Sequence, residues 1–316
     1  MMDHQLLSGV YNTLKNDNGS EKGFRSGFIA IMGRPNVGKS TLLNSVLGQK
    51  IAITSNKPQT TRNRILGICN LPDAQLLFLD TPGVHKAKGL LNRYMVEQAL
   101  STCGDVDIAL FLVEANDPPG GGDDYVLEHV ARSKVPVILI INKIDLVKRE
   151  ELLPLIETYS RKFPFAEILP VSALTGEGTD KIASTLVKYL PEGPHYYADD
   201  MVTDMPERFI AAEMIREQIL KQTQQEIPHG VAVEVEVFEE KPEKDLVVIE
   251  ACIYVSREGH RKIVLGRGGE KIKSIGKAAR YDIERMLGTR VFLDLMVKVE
   301  KNWTEQRRQL KRFGYE

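Results

Sequence analysis

The stretch Gly33-Arg34-Pro35-Asn36-Val37-Gly38-Lys39-Ser40-Thr41 has the residue types and spacing of a phosphate cradle, G-x-x-x-x-G-K-S. Its two glycines let the loop curl until successive backbone N–H groups point inward at phosphate oxygens. A helix beginning at Lys39 would present its positive end to the same anion. Gly33 through Thr41 are therefore expected to bind nucleotide, with Lys39 reaching the β- and γ-phosphates and the Ser40 hydroxyl ligating Mg²⁺. Asn142-Lys143-Ile144-Asp145 follows about 100 residues later. A carboxylate at Asp145 accepts two hydrogen bonds from guanine, at N1–H and the 2-amino group. Adenine has neither donor there and would leave the carboxylate desolvated and unpaired. Ser172-Ala173-Leu174 fits a backbone contact to the guanine carbonyl. The chemistry expected of this set is the binding of GTP and GDP with Mg²⁺.

Two shorter stretches supply the parts that sense the third phosphate. Asp80-Thr81-Pro82-Gly83 closes an apolar run, placing Asp80 to hold Mg²⁺ through water and the Gly83 N–H to meet the γ-phosphate. In Asn56–Arg62 a threonine is placed to close over the metal, and Thr61 is favoured over Thr60. Lys39, Thr61 and Gly83 are thus the expected catalytic residues, and Ser40, Thr61 and Asp80 the expected metal residues. After Gly83, where Ras-like GTPases carry a water-orienting Gln, stands Val84, which neither donates nor accepts a proton. Hydrolysis of GTP to GDP and phosphate is expected to be slow.

The elements that must position these residues are legible as short apolar runs. GFIAIMG, QLLFLD, DIALFLVE, VPVILIIN and EILPVS read as buried strands. Helical stretches separate them: Lys39–Leu47, Leu91–Thr102, Asp124–Ser133 and Lys181–Leu190. This alternation predicts a mostly parallel sheet with helices on both faces. Each motif then falls at the carboxyl end of a strand. Residues 1–23 read as a flexible leader, 24–190 as the first domain, and 191–206, punctuated by proline and acidic residues, as a linker. Residues 207–316 read as a smaller α+β domain: a helix at Glu207–Gln225, strands at Val231–Phe238 and Leu246–Val255, a helix at Gly269–Leu287, a strand at Arg290–Val299 and a basic tail helix at Trp303–Arg312.

The chain has 316 residues, 42% hydrophobic and 27% charged, an ordinary globular composition. No apolar run approaches the length of a membrane span, and no signal peptide is visible. Three distant cysteines, Cys69, Cys103 and Cys252, make neither a disulfide framework nor a metal site and are expected to be buried and reduced. Cytoplasmic location and a monomer are the expectations. The net charge of −1 hides an asymmetry: Arg257–Arg312 holds 16 Lys+Arg against 7 Asp+Glu, whereas Met201–Ser256 holds 5 against 12. The basic segment contains Gly266-Arg267-Gly268-Gly269 ahead of a helix bearing Lys271, Lys273, Lys277 and Arg280. A G-x-x-G loop opening a helix lets a nucleic-acid backbone approach closely, as in KH modules that hold about four single-stranded nucleotides. These eight residues are the expected RNA contacts.

GRPNVGKST, DTPG, NKID and SAL, in this order, closely resemble the GTPase domain of the translation-factor-related class. KPQTTRNR and LPEGPHYY narrow the resemblance to the Era GTPases, over about Gly23–Glu316. The resemblance implies a P-loop GTPase domain joined to a KH-type RNA-binding domain. It also implies small-subunit (16S) ribosomal RNA near its 3′ end, and the small ribosomal subunit, as partners. Related GTPases with an apolar residue after D-x-x-G hold a potassium ion with a P-loop Asn, which matches Asn36. Two alternatives stay open: an RNA-binding scaffold with a nearly silent nucleotide site, and a GTPase in peripheral contact with a membrane.

Overall fold

The computed structural model describes residues 23–84, 89–102, 104–223, 227 and 230–315. The leader lies outside them except for Gly23, as does Cys103. The chain divides into two units. One comprises Met1–Gln49, Ile65–Asp80 and Leu100–Asp204, and the other Lys50–Arg64, Thr81–Ala99 and Met205–Glu316.

The first unit is built on strands β1 (Arg25–Gly33), β2 (Ile65–Leu71), β3 (Ala74–Asp80), β4 (Ile108–Glu114), β5 (Val137–Asn142) and β6 (Glu167–Pro170), in the order β2-β3-β1-β4-β5-β6. Every neighbouring pair is parallel except β2–β3, a hairpin turned by Pro72 and Asp73. β4 and β5 are buried almost without interruption, as strands covered on both faces must be. The helices of this unit include α1 (Lys39–Leu47), α3 (Gly121–Val130), α4 (Arg149–Lys162) and α5 (Asp180–Val187); α2 (Leu90–Thr102) begins in the second unit. β1 lies between β3 and β4, so the loop leaving its carboxyl end opens where the strand order reverses, the usual ligand crevice of such sheets. The proline-bearing stretch packs along β2 and β3: the Ile68 N–H donates to Val202 O (2.8 Å), and Gln75 bonds the backbone of Tyr196 and Tyr197.

The second unit carries β7 (Val231–Lys241), β8 (Leu246–Val255) and β9 (Arg290–Val299), with β7–β8 antiparallel and β8–β9 parallel. Helices α6 (Glu207–Gln222), α7 (Glu258–Leu265) and α8 (Glu270–Leu287) bury one face of this sheet. Ile275, Ala279 and Ile283, one turn apart on α8, meet Ile249, Ile253 and Val264 in one core. The opposite face packs Ala232, Cys252 and Tyr254 against Leu91, Met95, Trp303 and Tyr315. A short tail helix α9 (Arg307–Arg312) follows.

Three elements go beyond the sequence reading. β2 supplies the antiparallel edge strand, α4 is a largely solvated helix, and α7 makes the small domain's order α-β-β-α-α-β. Cys252 is buried and Cys69 is half-buried.

Candidate functional site

The loop from Gly33 to Gly38 joins β1 to α1, as the cradle requires. Gly38 adopts φ 100°, and a Cβ there would overlap the Asn142 amide, so only glycine fits. Asn142 is the tie that holds three motifs together. Its Nδ2 donates to Val37 O (2.8 Å) and its Oδ1 accepts from the Ala173 N–H (2.9 Å). The structure thus brings the phosphate loop, the Asn142–Asp145 motif and the Ser172–Leu174 loop into one site. It gives Asn142 a bracing part that spacing alone does not reveal. Asp145 is exposed, and Ser172 Oγ donates to its Oδ1 at 2.5 Å, which fixes the carboxylate for a base. Lys143 sits at φ 64° and pairs with Glu114 (2.9 Å); Leu174 is exposed beside the base position.

Lys39 is buried, and its Nζ donates to the carbonyls of Gly33 (3.2 Å) and Arg34 (2.8 Å). Burial pulls its ammonium down to about 8, against the opposing pull of Asp80. Phosphate binding needs the cation. Nucleotide affinity is therefore expected to be level below pH 8 and to fall, by up to about tenfold per pH unit, as pH rises above it. GDP titrations between about pH 7 and about pH 9 check this, with Lys39→Arg expected to flatten the profile. Ser40 Oγ donates to Asp80 Oδ2 at 2.6 Å, and Asp80 is fully buried. Adjacent hydroxyl and carboxylate oxygens next to a phosphate cradle fit Mg²⁺, which takes few protein ligands beside phosphate and water. Arg34 points elsewhere: its guanidinium pairs with Asp117 and Asp123, both at 2.7 Å. Neither partner is legible from the motif, because they lie more than 80 residues away. Pro35, Asn36 and Thr41 lie where the motif puts them, with Asn36 at φ 67°.

The chain leaves the first unit after Asp80, so Thr81, Pro82, Gly83 and Val84, all buried, belong to the second. Thr61 belongs there too and is buried. Its neighbours are anchored by charged groups that sequence reading missed. Arg62 is fully buried, donating to Val231 O (2.7 Å) and Tyr315 Oη (3.2 Å), with its guanidinium over the rings of Trp303 and Tyr315. Arg216 donates to Thr60 O (2.5 Å), and Glu217 accepts from the Thr54 N–H (2.7 Å) and from Lys50.

In the same unit, α7, the turn Gly266–Gly269 and α8 form a helix–loop–helix. Gly266 sits at φ 71°, where a Cβ would lie 2.6 Å from the Lys271 Cβ; Gly268 sits at φ 59° facing open space. Arg267, Lys273, Lys277 and Arg280 are exposed, as are Arg261 and Lys262 on α7. Arg280 lies 3.9 Å from Glu284, which tempers its charge. Lys271 turns instead to the end of α6, donating to Gln222 O (3.0 Å), so it braces the loop's base.

A phosphate cradle, a guanine-selective carboxylate and a G-x-x-G loop on an α-β-β-α-α-β scaffold define a P-loop GTPase carrying a KH module. Comparison with known proteins agrees. A family model described as "50S ribosome-binding GTPase" matches residues 28–143, and a KH domain model matches 226–304. The chain is 55% identical to GTPase Era of Geotalea uraniireducens over 94% of its own length and all of the relative's. It is 52% identical to GTPase Era of Lacticaseibacillus paracasei, over 92% of this chain and 96% of that one. Among solved structures, Era in complex with MgGDPNP and nucleotides 1506–1542 of 16S ribosomal RNA matches with TM-score 0.89 and 40% identity. That match covers 92% of this chain and 99% of the other. A variant of Aquifex aeolicus Era bound to GDP·AlF4⁻ matches equally well. The chain belongs to the Era GTPases and is a GTPase.

Proposed function

We propose that this protein is a GTP-hydrolysing switch that binds small-subunit ribosomal RNA near its 3′ end and acts in assembly of the small ribosomal subunit. The observation that carries this reading is the coexistence, in one chain, of a braced guanine-nucleotide site and an exposed G-x-x-G loop flanked by unburied cations. The related Era structure holding MgGDPNP together with 16S RNA supports that pairing of ligands. The broader "50S" description attaches to a match that ends at residue 143 and so does not bear on the RNA-binding half. Gly33–Thr41, Asp80–Gly83, Asn142, Lys143, Asp145 and Ser172–Leu174 are the nucleotide-site residues. Mg²⁺, once bound by Ser40, Asp80 and phosphate oxygens, supplies charge neutralisation. Acting in small-subunit assembly, the protein would work in the cytoplasm, where ribosomes are built. No helix among the described residues is long and apolar enough to cross a membrane. Binding of a short RNA copying the 16S 3′ end, compared with an unrelated RNA of equal length, tests the assignment. Equal affinity for both removes the ribosomal reading.

Coupling between nucleotide and RNA runs through residues 50–64. Thr61 is held in the second unit by its neighbours' bonds to Arg216, Glu217, Val231 and Tyr315. The switch reading requires a second arrangement of this segment, in which Thr61 would join the metal. Arg62→Ala removes the hydrogen bonds to Val231 and Tyr315 and the cation over the Trp303 and Tyr315 rings. It is expected to raise affinity for a GTP analogue by about 5–10-fold while leaving GDP affinity unchanged. An unchanged ratio of the two dissociation constants sinks the coupling. Val84 leaves the attacking water without a side-chain partner at that position, so turnover without RNA is slow. A potassium ion near Asn36 is the proposed substitute charge, and equal turnover in K⁺ and Na⁺ excludes it.

A further inference from the structure

Arg34 lies inside the phosphate loop, yet its side chain leaves the site. Nε donates to Asp123 Oδ1 and a terminal nitrogen to Asp117 Oδ2, both at 2.7 Å. Asp123 is 1% exposed and its other oxygen accepts the Gly120 N–H (3.3 Å), closing the amino end of α3. Burial pushes this carboxyl up, and the neighbouring Arg34 opposes that. Gly122 lets the arginine stem cross the first turn of α3, since a Cβ there would lie 2.6 Å from the Arg34 Cδ.

The carbonyl of the same residue accepts from Lys39 Nζ (2.8 Å). Lys39 Nζ spends two of its three donors on the carbonyls of Gly33 and Arg34, which leaves the third to reach a phosphate. The two ion pairs of Arg34 do not depend on Lys39. They tie the amino half of the loop to α3, as Asn142 ties its carboxyl half through Val37 O.

We propose that Arg34 is a positioning residue: clamped by Asp117 and Asp123, it holds the phosphate loop in its binding shape around Lys39, and it does not itself touch phosphate. This rests on the reading of Gly33–Ser40 as the phosphate site. Loss of the clamp weakens GDP and GTP alike, because both use the loop's N–H groups. The loss falls on binding more than on the chemical step.

The experiment measures nucleotide affinity, dissociation rate and kcat at saturating GTP. Arg34→Met is expected to raise Kd for GDP and for a GTP analogue by about tenfold or more, through faster dissociation, with a smaller effect on kcat than on Kd. Arg34→Lys, which keeps the charge without the fork, falls between. Asp117→Asn gives a smaller rise in the same direction. Added to Arg34→Met it has no further effect, because Asp117 acts only through Arg34. Asp117 is 46% exposed, so its variant and Arg34→Lys carry the test even if Arg34→Met folds poorly. Unchanged Kd in the Arg34 variants, or additive effects in the double variant, overturns the clamp. A fall in kcat with Kd intact puts Arg34 on the reacting phosphates and overturns it too. If Lys39→Ala leaves wild-type nucleotide affinity unchanged, the phosphate-site reading fails, and the clamp with it.

Discussion

Asp145→Asn is expected to lower GTP affinity by about 100-fold and to turn preference toward XTP. The carboxylate accepts from both guanine N1–H and the 2-amino group, and hydrogen bonds to a charged acceptor are each worth about 1.5–3 kcal/mol. An Asn side chain keeps one acceptor and sets an N–H against the remaining donor. One lost bond of about 3 kcal/mol corresponds to roughly two orders of magnitude. Xanthine carries a carbonyl where guanine carries the amino group, so the new amide N–H finds an acceptor there. Ser172 Oγ, now 2.5 Å from Asp145 Oδ1, can go on donating to the Asn carbonyl, so the side chain stays aimed. Displacement of a fluorescent guanine nucleotide by GTP, XTP and ATP measures all three preferences. Unaltered GTP affinity would remove Asp145 from the base site. A gain for ATP would show that the pocket's shape, not this carboxylate, sets selectivity.

The same residues mark how far sequence carries. Asp145 and the phosphate loop are legible because a strand must deliver them and a glycine must turn them, and both leave a local pattern. The apolar runs predict helix α1 at Lys39–Leu47, and β8 and β9 at Leu246–Val255 and Arg290–Val299, and those bounds are observed. Each is a run whose apolar period is set by burial. α4 escapes because only Tyr159 of its fourteen residues is buried and Pro154 interrupts it, leaving no apolar stripe to read. α7 escapes because its apolar residues form the one short run Ile263-Val264-Leu265, which shows no helical period, and the helix buries Val264 alone. β2 is an edge strand whose last three residues are half-exposed, so its pattern fades. The braces are beyond reach for another reason. Asn142 meets Val37 and Arg34 meets Asp123 across gaps of about a hundred residues, and no spacing rule spans them. Burial of Thr61 beside Arg62, Arg216 and Tyr315 is of the same kind, since the segment that carries it reads as a polar loop.

Gly268→Asp is expected to cost roughly 10–100-fold in affinity for single-stranded RNA while sparing GTP turnover in its absence. The position is at φ 59°, a left-handed conformation that Asp tolerates better than most residues, and an added Cβ meets nothing within 4 Å. The fold therefore has room for the side chain, and the space it enters is the space an RNA backbone needs. A carboxylate there repels phosphate and opposes the exposed charges of Arg267, Lys273 and Lys277. Lys273→Ala and Lys277→Ala differ from it in a measurable way. Each removes a cation without blocking approach, so each is expected to weaken binding modestly and to flatten the dependence of log Kd on log salt by about 0.7. Gly268→Asp weakens binding at high salt as well, because part of its effect is steric. Lys271→Ala separates bracing from contact: its ammonium caps α6 at Gln222, so the expected effect is on thermal stability more than on the salt slope. Equal salt slopes for all four variants would mean that the second domain meets RNA as a diffuse basic surface. A loss confined to Gly268→Asp and persisting at high salt would fix the backbone of the RNA against the G-x-x-G turn.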